Sequence, residues 1–189
     1  AMKTGDVDEE IQGVDTVEPA FGLPAIWISN EDEERAQFAG YTVVDLPTVL
    51  ATHITEILKT HAQEFIGRQE TQKLLDNHSQ TEPKVVEELV PNVIPLGVVQ
   101  KVLQNLLKEQ VSIRDLHTIL ETLADLGPVT KDADLLTEHV RQSLSRQITR
   151  QYQTDDGLLP LISMDQELEN QVAGAIQDSG QGAYLGLNP

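Results

Sequence analysis

His53 and Glu56 stand three residues apart, a spacing that places an imidazole and a carboxylate on one helix face and makes half of a carboxylate-bridged metal site. No second half accompanies them, so both read as ordinary helix residues, and a metal-dependent hydrolase built on them is the weaker alternative. The remaining histidines are His61, His78, His117 and His139, and none of the five falls in a zincin, zinc-finger or haem-attachment pattern. His61 continues an apolar stripe and reads as a packed or boundary residue. There is no Gly-x-Ser-x-Gly elbow, and with no cysteine there is neither a thiol nucleophile nor a disulfide nor a thiolate metal site. Gly180-x-Gly182 has no helix after it and so cannot cradle a phosphate. Carboxylates are so frequent that pairs arise by chance, and a glycosidase dyad does not follow from them. These residues predict no catalytic site, no metal and no cofactor: a protein that is not an enzyme.

Charge narrows the partners. Thirteen basic against 31 acidic residues leave a net charge of −18 over 189 residues. A nucleic-acid binder needs a basic face, and anionic lipid repels such a chain. Basic partners are steered toward it instead. No apolar run approaches the roughly 20 residues needed to cross a bilayer, and no signal peptide is visible. Ala1 ahead of Met2 reads as an artificial start, so a missing span describes this chain and not a parent polypeptide. With 39% apolar but only 4% aromatic residues, the core must be built mainly from Leu, Val and Ile.

The elements that position these residues follow from punctuation and period. Residues 1–17 are acidic and Gly-containing, and read as a mobile lead-in. Pro24 to Ser29 is a short strand bounded by Gly22 and Asn30. Asn30 caps a short helix with acids in its first turn, Gly40 ends it, and Tyr41 to Val44 is a second strand. That unit is too small to close a sheet by itself. Asp45 caps a long helix with Pro47 in its first turn; Leu50, Ile54, Ile57, Leu58, His61 and Phe65 share one face, and Gly67 terminates or bends it. A helix over about 68–78 follows, then a short one after Thr81, then a stripe of Val99, Val102, Leu103, Leu106 and Leu107. Ser112 to Asp115 fits a capping box ahead of Leu116, Ile119, Leu120 and Leu123, and Gly127-Pro128 closes that helix. Asp132 caps a helix with Leu136, Val140, Leu144 and Ile148 inward. Residues 83–152 thus form a helical bundle with short connections. Leu158 to Ile162 reads as a strand without a partner, Asp165 caps a helix to about Asp178, and Ser179 to Pro189 reads as a frayed tail. The fold class is mainly α with a minor β component (α+β), a helical bundle flanked by fragments of small α/β subdomains.

Two phrases are specific: Gly67-Arg68-Gln69-Glu70-Thr71-Gln72-Lys73-Leu74-Leu75-Asp76-Asn77, and the block from Val102 to Leu107 continued by Val111-Ser112-Ile113-Arg114-Asp115-Leu116-His117 through Ala124. Together, over roughly residues 16–170, the chain resembles the cytoplasmic domain of the FlhA family, the export gate of bacterial flagellar type III secretion. The string Thr118 to Ala124 favours the flagellar branch, and the alternative is the equivalent domain of a virulence (injectisome) system. The resemblance implies a cytoplasmic docking platform that binds flagellar export chaperones with their cargo and other export-apparatus and ATPase-complex proteins. It also implies self-association into a ring, nonameric in the family, at the cytoplasmic side of the inner membrane, with membrane contact only through an N-terminal domain absent here.

It divides the chain into a lead-in (1–17), the end of a second subdomain and returning part of a first (18–61), a helical third subdomain carrying most ring contacts (62–152), and the start of a fourth with a tail (153–189). Strands are expected to be orphaned where sheet partners lie outside the chain. The family's chaperone-docking dimple lies between its first two subdomains, and three residues match its motif. Glu18 stands where the family commonly has Asp, two before Ala20-Phe21. Phe21 matches a buried aromatic anchor, and Thr52 the threonine of Val49-Leu50-Ala51-Thr52-His53. A carboxylate at the rim would orient an apolar helix taken into such a pocket.

Overall fold

The structure, a computed structural model, describes residues 1–3, 9–178 and 183–186, and the chain divides into two compact units, Ala1–Leu144 and Ser145–Pro189. In the first unit the strands are β1 (Met2–Lys3), β2 (Val14–Val17), β3 (Pro24–Trp27) and β4 (Tyr41–Thr42). They form an antiparallel sheet in the order β2-β3-β1-β4, with Val14 opposite Trp27 and Met2 opposite both Ala25 and Thr42. Residues 1–17 therefore depart from the expected lead-in: two of the sheet's four strands come from them, and Ile11 is buried. The alternation Val14, Thr16 against Asp15, Val17 was too short to register as a period of two. Residues 4–8 lie outside the described ones.

Between β3 and β4 runs α1 (Glu33–Phe38). Its start differs from expectation. Asn30 belongs to a 3₁₀ turn, Asn30–Asp32, whose N-cap position is Ser29, and the Ser29 hydroxyl donates to Asp32 Oδ2 at 2.7 Å. Gly40 ends the segment with φ +90°, the left-handed conformation open to glycine. A small core of Ile11, Ala36 and Ala39, flanked by Ile26, Ile28, Tyr41 and Val43, holds this helix on the sheet.

Then follow α2 (Leu46–Thr60), α3 (Arg68–Ser79), α4 (Pro83–Glu88), α5 (Leu96–Lys108), α6 (Leu116–Leu126) and α7 (Ala133–Ser143). Asp45 caps α2 as expected, accepting from Thr48 N at 3.1 Å. The helix stops at Thr60, however, so Phe65 sits in a separate 3₁₀ turn, and Gly67 is the N-cap of α3 rather than the end of α2. Glu70 reaches back to Gly67 N at 3.2 Å, and a Cβ on Gly67 would sit 2.8 Å from that carboxylate. The side-chain amides of Gln100 and Gln104 on α5 both donate to Ile66 O, at 3.3 and 2.8 Å. These bonds tie α5 to the residue just before the first specific phrase.

Leu75, Leu89, Ile94, Val99, Val102, Leu103, Leu106, Ile119, Leu120, Leu123, Leu136 and Val140 are completely buried and make the main core. Every apolar stripe read for α5, α6 and α7 contributes to it. The cap of α6 is a correction: Asp115, not Ser112, occupies the N-cap and accepts from Thr118 N at 3.2 Å. A carboxylate next to the first helical residue competes better than a hydroxyl three positions earlier. Asp132 caps α7 through Asp134 N and Leu135 N, at 2.8 and 3.3 Å.

In the second unit lie α8 (Ser145–Tyr152), α9 (Gln166–Ala175) and a hairpin of β5 (Ile176–Asp178) with β6 (Ala183–Leu185). The single helix expected from Asp132 onward is interrupted at Leu144, which takes φ −86° and ψ 8°. Leu158 to Ile162 is not a strand: it is irregular and exposed after a turn closed by Thr154 N on Leu158 O at 2.8 Å, with Gly157 at φ +84°. Asp165 caps α9 as expected. The tail expectation is overtaken at Ala183–Leu185, which pairs with β5. Gly180, Gly182 and the other residues at 179–182 and 187–189 fall outside the described ones.

Candidate functional site

The turn after β2 is built by one side chain. Glu18 is 7% exposed, and its two carboxylate oxygens accept from Ala20 N at 2.9 Å and Phe21 N at 2.7 Å. Its own amide donates to Leu23 O at 2.8 Å, and Gly22 N donates to Glu18 O at 2.9 Å, with Gly22 at φ +69°. The left-handed position at Gly22 is what glycine supplies at low cost. This loop carries Phe21, which is 62% exposed. The expectation of a buried aromatic anchor is therefore not met within this chain: Phe21 stands at the edge of a groove, with its ring available.

The groove has a volume of about 220 Å³ and a mostly apolar lining. Its floor comes from β3, through Ala25, Ile26 and Trp27; one wall is the end of β2 with Glu18 and Phe21; the other is the first turns of α2. There Thr48, Val49 and Thr52 line it, Thr52 standing four and three positions after the other two and so next to both on the helix surface. Glu18, Phe21 and Thr52, separated by up to 34 positions in sequence, thus line one concavity. Sequence reasoning did not single out Val17, Trp27, Thr48 or Val49 as part of it. The signal was available only for Thr48 and Val49, which sit one helical turn or less before Thr52.

Two features of the groove's frame bear on its chemistry. Asp45, whose backbone turns the chain into α2, has its carboxyl held below the usual carboxylate range, chiefly by the hydrogen bonds from Thr48. The Glu18 carboxylate is directed at backbone amides, so both its oxygens are already engaged with donors of its own loop. Among the described residues the groove's lining is that of a hydrophobic slot with threonine hydroxyls on one side.

On its other face, α2 carries Leu50 and Ile54, 52% and 56% exposed, with Ile57 and Leu58 equally uncovered. The stripe is real, and these four side chains are left exposed among the described residues. On that helix Glu56 Oε1 accepts from Lys59 Nζ at 2.7 Å, and His61 Nδ1 lies 2.7 Å from Glu64 Oε1. Among the described residues, the histidines that do meet a carboxylate jointly are His78 and His117, at Glu82.

Known proteins resemble this chain along its whole length. The FHIPEP family model matches residues 1–189. The flagellar biosynthesis protein FlhA of Bacillus subtilis strain 168 is 49% identical over all 189 residues, and the chain spans 28% of that protein. Among solved structures, the CdsV protein of Chlamydia pneumoniae superposes with a TM-score of 0.80 at 32% identity, over 94% of this chain and 51% of that one. The nonameric EPEC SctV-C superposes with a TM-score of 0.73 at 29% identity, over 98% of this chain and 57% of that one. The chain spans little more than a quarter of the length of the curated relative it matches.

Proposed function

The chain belongs to the FHIPEP family, and from that premise we propose that it is a non-enzymatic docking and ring-forming part of a flagellar type III export gate. Its groove receives an apolar helix from an export chaperone loaded with cargo. The observation that carries the reading is the convergence of Glu18, Phe21 and Thr52 on one apolar concavity with an exposed aromatic at its edge. At about 220 Å³ the groove is smaller than the roughly 300–1,000 Å³ of small-molecule and cofactor sites. It suits one or two side chains of a helix laid across it, with Phe21 and Trp27 as anchors. Glu18 acts one step back from the partner: it fixes the loop that presents Phe21.

The flagellar assignment rests on the 49% identity to a flagellar relative over the whole chain. Ring formation rests on the similarity to a nonameric structure, and we assign the ring contacts chiefly to residues 62–152. The parent polypeptide then sits at the bacterial inner membrane with this region on the cytoplasmic side; within the described residues no helix is long and apolar enough to cross a membrane. Other export-apparatus and ATPase-complex proteins are the further partners of the same platform.

Binding of flagellar chaperone–cargo complexes to this chain, measured by calorimetry or pull-down, tests the groove. Phe21→Ala is expected to weaken binding by roughly 30-fold or more, corresponding to a hot spot of about 2 kcal/mol. Binding that survives both Phe21→Ala and Thr52→Lys unchanged removes the groove from the interface.

A further inference from the structure

Glu82 has an unusual setting for an acid in a bundle: its ion-pair partners are two histidines, with no lysine or arginine among them. His78 lies in the last turn of α3, with its side chain 14% exposed. The turn that leaves α3 is closed by Glu82 N and Thr81 Oγ1, both donating to His78 O at 3.0 Å. This fixes Glu82 beneath His78, with His78 Nε2 3.2 Å from Glu82 Oε2. His117 arrives from the first turn of α6, 35 positions further on, and its Nδ1 lies 2.5 Å from the same oxygen. The two rings are 6.3 Å apart between centroids and tilted by 38°, so they converge on the carboxylate rather than stack.

One atom of the trio is unsatisfied. His78 Nε2 is shut off from solvent and makes no hydrogen bond, its approach to Glu82 being misaligned for one. A buried ring nitrogen that lies 3.2 Å from a carboxylate oxygen without a hydrogen bond to it is left unpaired, and a cation held by both would satisfy it. The three donor atoms all lie within 4.8 Å of one another. A tetrahedral ion with ligand bonds of about 2.0–2.1 Å requires donor separations near 3.3 Å. The His78–Glu82 pair already has that spacing, and the His117–Glu82 pair reaches it by opening less than about 1 Å, a change the exposed His117 side chain can make.

We propose that His78, Glu82 and His117 form a binding site for a divalent transition-metal ion of the zinc class, which ties the α3–α4 corner to the start of α6. Two imidazole nitrogens and one carboxylate oxygen select such an ion over calcium or magnesium, which take oxygen donors. The half-exposed Glu82 and His117 leave the fourth position to water. The site is structural in effect: it bridges the α3–α4 corner and the first turn of α6. It stands apart from the groove, so docking and metal binding can fail separately.

The test is a calorimetric titration of Zn²⁺ into the metal-stripped chain, with thermal melts at each ratio. One ion per chain and a Tm that rises with free Zn²⁺ are expected, because a ligand held only by the folded state stabilises it. His117→Ala and Glu82→Gln, both at exposed positions, should each weaken binding by at least ~10-fold while keeping the native circular dichroism, and His139→Ala should leave it unchanged. Absence of saturable 1:1 binding, or His117→Ala titrating like the parent chain, overturns the site.

Discussion

Glu18 and Gly127 show how single residues work here through backbone geometry. The Glu18 carboxylate spends both oxygens on the loop that carries Phe21, so its contribution to docking is positional. Gly127 ends α6 at φ −56°, where any residue could sit by conformation alone. Its hydrogen atoms face the core instead: a Cβ there would lie 2.5 Å from Val93 Cγ1 and 2.9 Å from Ile94 Cγ2. Helix propensity favours alanine over glycine by up to about 1 kcal/mol, whereas overpacking a closed core costs about 1–3 kcal/mol, and Ile94 is fully buried. Gly127→Ala is therefore expected to destabilise, shifting the urea midpoint downward at unchanged slope. An upward shift would show that Val93 yields and that propensity dominates.

Among the elements, α2 is the one whose two faces do different things. Thr48, Val49 and Thr52 line the groove, and Leu50, Ile54, Ile57 and Leu58 lie uncovered on the other side. With no buried residue, the helix depends on its start more than on packing. That start is the Asp45 cap, whose carboxyl is held below its ordinary value of 3.8 by Thr48. A depressed carboxyl stabilises the folded state fully above the unfolded value, and the contribution is lost as pH falls through the lower folded one. The first turn of α2 should therefore loosen on acidification from about pH 5 toward pH 2. Followed at the Thr48 amide by NMR, this transition should be abolished by Asp45→Asn. A Thr48 amide that titrates identically in that variant would place the controlling carboxylate elsewhere.

At the scale of the whole molecule, charge opposes assembly. Copies carrying −18 each repel, and ring formation has to overcome this. Raising salt from about 0.01 M to 0.15 M shortens the screening length from roughly 30 Å to 8 Å. Self-association, followed by sedimentation equilibrium, should strengthen over that range; weakening would mean that cross-subunit ion pairs dominate. The same screening should slow encounter with a basic partner, so salt is expected to move ring assembly and chaperone capture in opposite directions.

The helical part of this fold was written in the sequence, because its information is local: apolar period, proline starts, aspartate caps and glycine stops all act within a few residues. Most of the stripe residues of α5, α6 and α7 became the core, with Leu107 and Leu116 half-buried and Ile148 falling on α8 beyond the break at Leu144, and the caps at Asp45, Asp132 and Asp165 hold. Where two local signals competed, at Ser112 against Asp115, the nearer carboxylate took the cap. The sheet was half legible: β3 and β4 fall where strands were read, but Met2–Lys3 and Val14–Val17 are too short for alternation to register and are strands only through the pairing beside them. The same limit governs the sites. Sequence supplied Glu18, Phe21 and Thr52 by resemblance and His78, Glu82 and His117 as unconnected residues. Only the folded chain decides that the first three share a groove, that Glu18 faces its own backbone and Phe21 faces outward, and that two histidines from α3 and α6 meet at one carboxylate. Contacts across 35 positions are set by packing, which no local period encodes.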